Sequence, residues 1–231
     1  VKDMVQNHLL QVLSIVAMEE PKEEGSRGIH DSQYSLLSKL VPITNVNDSL
    51  VMAQYEGYLD EENISKDSKT ETYAALKLFI DNERWQGVPF FIRTGKKMGG
   101  RETQVVVQFK AVGDIPGNVL IIKIQPDEGV YFQFNAKKPG TEQELQQISL
   151  DFCQSCILEN RINTPEAYER LLDACFKGDH ALFSQWDQIV VSWTFVNDLL
   201  AKYYKQGAPL YTYKQGSMGP KEADEFVDWI K

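Results

Sequence analysis

The chain has 231 residues, 42% of them hydrophobic and 25% charged, with a net charge of −9, values of an ordinary globular protein able to bury one large core or two small ones. It holds no apolar run of about 18 residues or more and no signal-peptide pattern, so the expectation is a soluble cytoplasmic protein without a membrane partner. The acidity, with no basic stripe and no aromatic–basic interleaving, also argues against nucleic acid.

The first apolar positions, Met4, Val5, Leu9, Val12, Leu13 and Val16, are already in helical phase and predict a helix to about Met18. The chain does not begin with Met, and it is expected to start inside that helix. Glu19 to Ser26 is a charged break containing Pro21 and Gly25, Asp31 to Leu40 a short amphipathic stretch, and Gly57 to Lys69 an acidic, polar loop. Thr72 to Ile80 suits either a strand or a helix. Val88–Arg93, Thr103–Phe109, Val119–Gln125 and Val130–Ala136 are rich in Val, Ile and Phe with period-two character and read as strands. Gly99-Gly100, Gly113-Asp114, Pro116-Gly117 and Asp127-Glu128-Gly129 are suitable hairpin connections. Pro165 after Thr164 predicts a helix start, with Leu171, Leu172, Cys175 and Phe176 on one face. Trp186 to Tyr204 predicts a further helix and Lys221 to Ile230 a last short one. The pattern is α+β, a large mostly antiparallel sheet with helices packed on one side. A boundary near residue 30 is conceivable, but one domain is simpler.

Chemistry concentrates in few places. Asp3-Met4-Val5-Gln6-Asn7-His8-Leu9-Leu10-Gln11 sets a carboxylate, carboxamides and an imidazole on one helical stretch. A neutral imidazole is well suited to accept a proton near neutrality, and the amides can hold a polyhydroxyl ligand. On spacing alone, a lone helical histidine such as His8 is more often a satisfied surface or core residue than a base. Against the general acidity, positive charge is densest at Arg93-Thr94-Gly95-Lys96-Lys97 followed by Arg101, where a phosphate would be held. Three cysteines, Cys153, Cys156 and Cys175, are too few for a disulfide framework. Cys153-Gln154-Ser155-Cys156 has the spacing of half a zinc site or a redox pair, but it has no second C-x-x-C and no His at ligand spacing, and it sits in an alternating Ile148, Leu150, Phe152 pattern. No metal or redox role is assigned to it. His30 and His180 have no paired ligand, and Trp85, Pro89, Tyr55 and Tyr58 read as structural.

The run D-M-V-Q-N-H-L-L-Q at Asp3–Gln11 resembles the catalytic helix of the glucose-6-phosphate dehydrogenase family. So do, in order, Gln54–Tyr58, Asn82–Phe90, Ile92–Met98, Ile124–Val130, Thr164–Leu171 and Gly216–Pro220. Seven ordered motifs over nearly the whole chain are far more specific than one short pattern. The resemblance implies that residues 1–231 are the family's C-terminal domain, cut into at the catalytic helix, and that the N-terminal Rossmann domain is absent. No G-x-G-x-x-G occurs. It further implies oxidation of glucose 6-phosphate at C1 to 6-phosphogluconolactone, the first step of the oxidative pentose phosphate pathway, with NADP or NAD bound mainly by the missing domain and with no metal. The chain alone is expected to be inactive.

In that register His8 is the base, and the carboxylate that orients it in the family is not in this chain. Asp3 contacts sugar hydroxyls, Lys96 and Arg101 hold the phosphate or a ring hydroxyl, and Gln125, at a strand end, faces the substrate. Thr72 to Ile80 becomes a strand. The family also forms a dimer through its sheet. A second, structural dinucleotide is not expected, because Glu102 and Val106 stand where some members have basic residues and the chain ends at Trp229-Ile230-Lys231. The competing expectation is a non-catalytic relative serving as an assembly module. The joint presence of Asp3, His8 and Lys96 weighs against it, since a scaffold needs no base, polyol acceptor and cation together.

Overall fold

The computed structural model describes residues 1–140, 144–154, 156–157, 159, 165–226 and 229. The chain divides into one unit of Val1–Gly99 with Tyr168–Trp229 and a second built on Gly100–Ala167. Among the described residues the expected α+β pattern is present, with the strands shared between two four-stranded sheets.

The first unit contains β1 (Leu50–Tyr55), β2 (Tyr73–Leu78), β3 (Phe90–Gly95) and β8 (Leu210–Tyr213), ordered β3-β2-β1-β8. β1 pairs antiparallel with β2 and parallel with β8, and β2 pairs antiparallel with β3. The six-residue β1 is buried along its whole length. Side chains on a strand alternate between faces, so this central strand needs apolar residues on both. Leu50 and Met52, with Ala74, Leu76 and Leu78 of β2, join the core formed with the helices. Val51, Ala53 and Tyr55, with Tyr73, Ala75, Tyr213 and Ala223, form a second cluster on the opposite face. The helices therefore cover one side, as the sequence implies, and the C-terminal segment covers part of the other.

The helical layer consists of a π-helical stretch (Lys2–Leu9) running into α1 (Leu10–Ala17), then α2 (Ser26–Leu37) and α4 (Trp186–Gln206). Val5, Leu10, Leu13, Leu36, Leu37, Val196 and Leu199 bury their side chains together. The end of α1 is tied down by Trp85, whose indole N–H donates to the Ala17 carbonyl at 2.7 Å, satisfying one of the acceptors a helix end leaves open. At the start of α4 the fully buried Gln188 accepts from the Gln185 N–H at 3.1 Å and donates to the His30 carbonyl at 3.1 Å and to Gln33 Oε1 at 3.0 Å. That pins α4 to α2 without leaving a buried amide unpaired.

The second unit is an antiparallel meander, β4 (Thr103–Gln108), β5 (Val119–Gln125), β6 (Gly129–Lys137) and β7 (Leu145–Cys153), in sequence order. β7 ends in a disulfide between Cys153 and Cys156. The sparse cysteines had suggested no such bond.

Several elements differ from expectation. β1, β7 and β8 were not foreseen as strands: LVMAQY opens on four consecutive apolar residues with no alternation, Ile148, Leu150 and Phe152 of β7 were read only as an alternating pattern, and LYTY is too short to show a period. α2 begins at Ser26, five residues before the expected Asp31, since Gly25 at φ 88° ends the charged break and the helix starts directly after it. The helix after Pro165 (α3, Ala167–Lys177) buries only Ala174, while Leu172 and Phe176 on its apolar face are exposed; Thr164 lies outside the described residues. Of the last expected helix, the described residues show a 3₁₀ turn at Lys221–Ala223, and residues 227, 228 and 230 lie outside the described residues.

Candidate functional site

Asp3 and His8 both lie on the π-helical stretch, and both are exposed. The Leu10 N–H donates to the Val5 carbonyl, the five-residue closure that defines a π-turn. This geometry changes what the pair can do. On an α-helix, residues five apart would be about 140° apart around the axis. On a π-turn they stack on roughly one side, so Asp3 and His8 share a face. The sequence reading had this stretch as an ordinary helix. The stretch packs against β3 and α4, and β3 leads directly into Lys96.

The segment Arg93–Lys97 separates its three charges and turn residue by role. Arg93 stacks on Trp229 at 4.4 Å. Gly95 cannot carry a side chain, since a Cβ there would stand 2.7 Å from the Tyr73 ring and 2.6 Å from Met98 Sδ. Lys97 takes φ 50°, in the left-handed region, and its ammonium pairs with Glu61 and lies 4.6 Å over the Tyr55 ring. Tyr55 in turn donates to Glu61 at 3.3 Å. The hydrogen bond from Lys97 holds the Glu61 carboxyl below its usual range and raises the Lys97 ammonium above its own. Lys96 is exposed and, among the described residues, has no ion pair. Of the cations in this run, Lys96 is thus the one left available to an anionic ligand.

Its main chain is held on both sides. The Lys96 N–H donates to the Thr72 carbonyl at 2.8 Å, and its carbonyl accepts from the Tyr213 hydroxyl at 2.7 Å. One residue on, the Lys97 carbonyl accepts from the Gly216 N–H at 2.8 Å, and the Gly99 N–H donates to the Ser217 carbonyl at 2.9 Å. None of Thr72, Tyr213 or Glu61 was singled out from the sequence. They come from segments far apart in the chain, and no local pattern links them.

Arg101 and Gln125 belong to the second unit. Gln125 is the last residue of β5 and pairs with Thr103, the first of β4, so Arg101 and Gln125 lie at one end of the same sheet. Both are exposed.

These placements can be set beside known proteins. The family model described as glucose-6-phosphate dehydrogenase, C-terminal domain, matches residues 1–229. The chain belongs to the glucose-6-phosphate dehydrogenase family. A glucose-6-phosphate 1-dehydrogenase of Bacillus subtilis is 40% identical over 98% of the chain and 50% of its own length. Glucose-6-phosphate 1-dehydrogenase 6, cytoplasmic, of Arabidopsis thaliana is 38% identical over 99% of the chain and 45% of its own length. A solved glucose-6-phosphate dehydrogenase in complex with its substrate glucose-6-phosphate superposes with a TM-score of 0.89 at 35% identity, covering 100% of this chain and 51% of that one. The chain spans about half the length of the dehydrogenases it matches.

A nicotinamide dinucleotide is held in Rossmann-type domains by a glycine-rich turn between a strand and a helix. The sequence has no two glycines spaced G-x-G, and these residues do not fit that cradle. The first unit presents an exposed imidazole, a carboxylate and an available ammonium, and the second, by itself, a guanidinium and an amide at one end of its sheet.

Proposed function

We propose that this chain is the substrate-handling part of a glucose-6-phosphate dehydrogenase that oxidises glucose 6-phosphate at C1, with NADP or NAD held by sequence outside these 231 residues. The observation that carries the reading is the π-helical stretch, which sets Asp3 and His8 on one face beside the strand that delivers Lys96, in a chain matched over residues 1–229 by the family's C-terminal domain. His8 takes the proton of the C1 hydroxyl as the carbon is oxidised, Asp3 accepts hydrogen bonds from sugar hydroxyls, and Lys96 meets the phosphate or a ring hydroxyl. Arg101 and Gln125, at one end of the second unit's sheet, are further candidate substrate contacts of that unit. Without a dinucleotide cradle the 231 residues alone do not turn over. The protein acts in the cytoplasm, as the names of the plant relatives suggest, and it assembles as a homodimer through its exposed sheet.

Replacing the base tests this. In the complete enzyme, His8→Asn lowers kcat by roughly 10²- to 10⁴-fold with the KM for glucose 6-phosphate little changed, measured by steady-state reduction of the nicotinamide. A variant with full kcat would instead favour the competing reading, a non-catalytic assembly module.

A further inference from the structure

We propose that Tyr213 is a positioning residue for Lys96, acting through the main chain rather than by touching substrate. The proposal rests on the reading of Lys96 as the substrate-binding cation. Tyr213 ends β8, the strand that pairs parallel with β1, and its side chain is 3% exposed. Its ring packs edge-on against Tyr55, centroids 6.3 Å apart, and tilted against Tyr73 at 5.5 Å. A phenylalanine would fill that space equally well. The hydroxyl is therefore the part of Tyr213 that packing does not require.

That hydroxyl has one proton and two carbonyls within reach, Lys96 O at 2.7 Å and Thr72 O at 3.1 Å. The shorter contact identifies Lys96 as the acceptor. Thr72 Oγ1 stands 3.1 Å from the same hydroxyl, so the phenol oxygen is itself held. The Thr72 carbonyl meanwhile accepts the Lys96 N–H. Both polar groups of Lys96's own backbone are thereby fixed by buried residues, while its side chain leaves for solvent.

The next residue reinforces the lock. Lys97 adopts the left-handed conformation and is anchored by Glu61 through its side chain and by Gly216 through its carbonyl. A four-carbon stem amplifies any rotation at its root, so the direction in which the Lys96 ammonium emerges depends on these restraints. Losing the Tyr213 hydroxyl leaves the Lys96 carbonyl without its donor and frees the Lys96–Lys97 peptide to rotate.

The test is a double-mutant cycle in the complete enzyme, with Tyr213→Phe and Lys96→Ala made singly and together. Tyr213→Phe is expected to raise the KM for glucose 6-phosphate roughly 2- to 12-fold, the range of one hydrogen bond, with kcat and the KM for the nicotinamide cofactor unchanged. On the Lys96→Ala background, Tyr213→Phe is expected to change nothing further. An equal KM rise on both backgrounds would overturn the proposal, as would a lower melting temperature with KM unchanged, which would make the hydroxyl merely structural. If Lys96→Ala itself leaves KM unchanged, the reading of Lys96 fails and the proposal with it. A KM rise from Lys96→Ala alone keeps that reading and rejects the role of Tyr213. Should Tyr213→Phe not fold, Thr72→Val, which removes the hydroxyl holding the phenol, enters the same cycle with the same criteria and a smaller expected rise.

Discussion

At the residue scale, the first unit is unusual for the tyrosines its sheet buries. Tyr73 is 1% exposed, and its hydroxyl has no hydrogen-bond partner among the described residues. Burial, with a further contribution from Asp224, pushes its pKa up to about 12 against the pull of Arg93. Tyr203 on α4 is likewise raised to about 12 by burial. The sign of the linkage follows from the direction. A folded value above the unfolded one means the contribution of the neutral phenol is complete below about pH 10 and is lost as pH rises through about 12. Tyr73→Phe should therefore leave stability at pH 7 equal or slightly higher, because an unpaired buried hydroxyl disappears. It should also weaken the loss of stability above pH 10, as measured by denaturant unfolding at pH 7 and about pH 11. A variant clearly less stable at pH 7 would mean the hydroxyl has a partner such as a bound water. At this scale, His8, Asp3 and Lys96 could be named as candidates because their residue types stand in a recognisable register. Tyr213 and Glu61 could not, since their roles exist only where β8 and the loop after β1 come to the Lys96 turn.

At the element scale, period and punctuation decided how much could be foreseen. β4, β5 and β6 of the second unit and the helix α4 carry clean alternation or clean helical phase, and they lie close to where the sequence placed them, whereas β7 was read only as an alternating pattern and not placed as a strand. β1 was missed for the reason that makes it central, since a strand buried on both faces has no alternation to read, and the edge strand β8 because four residues are too few to show one. The π-turn was hidden too, because its residues are compatible with an α-helix. The C-terminal segment is held to the sheet by close approach at Gly219, φ 118°, where a Cβ would stand 2.5 Å from the Tyr73 ring. Gly219→Ala combines a conformation L-residues avoid with a ring that is itself packed. It should lower stability by about 1–3 kcal/mol or more and raise KM through the neighbouring Ser217 and Gly216 contacts to the Lys96 turn. Thermal unfolding and substrate titration check both. Unchanged values for both would show that the segment yields freely.

At the scale of the whole molecule, the most conspicuous surface is on the second unit. Ile148, Leu150 and Phe152 alternate along β7 and so share one face, with Leu150 63% and Phe152 56% exposed. β7 also ends its sheet, leaving one side of the strand without a ladder partner among the described residues. An apolar face on an edge strand is a hazard unless something covers it, and a second copy of the same sheet would cover it with two-fold symmetry. If the proposed dimer forms through this face, the wild type runs as a dimer and Leu150→Asp with Phe152→Asp as a monomer in light scattering after size exclusion. The first unit's core is untouched by these changes, so its helical circular dichroism should persist. A dimer that survives both substitutions would place the interface elsewhere.

The amino-acid sequence determined the family and the α+β class, because residue type and order are enough to carry them, and it supplied the candidate side chains Asp3, His8 and Lys96. It also determined that no Rossmann phosphate turn is present, since that turn needs glycines at fixed spacing. Tertiary structure decided the rest. The side of the helix that Asp3 and His8 share depends on backbone hydrogen bonds, and the availability of Lys96 depends on Glu61 and Trp229 engaging its neighbours Lys97 and Arg93. The clamp on Lys96 depends on Thr72 and Tyr213, 141 residues apart in the chain, because a hydrogen bond is made by position in space and nothing in the local order of residues records it.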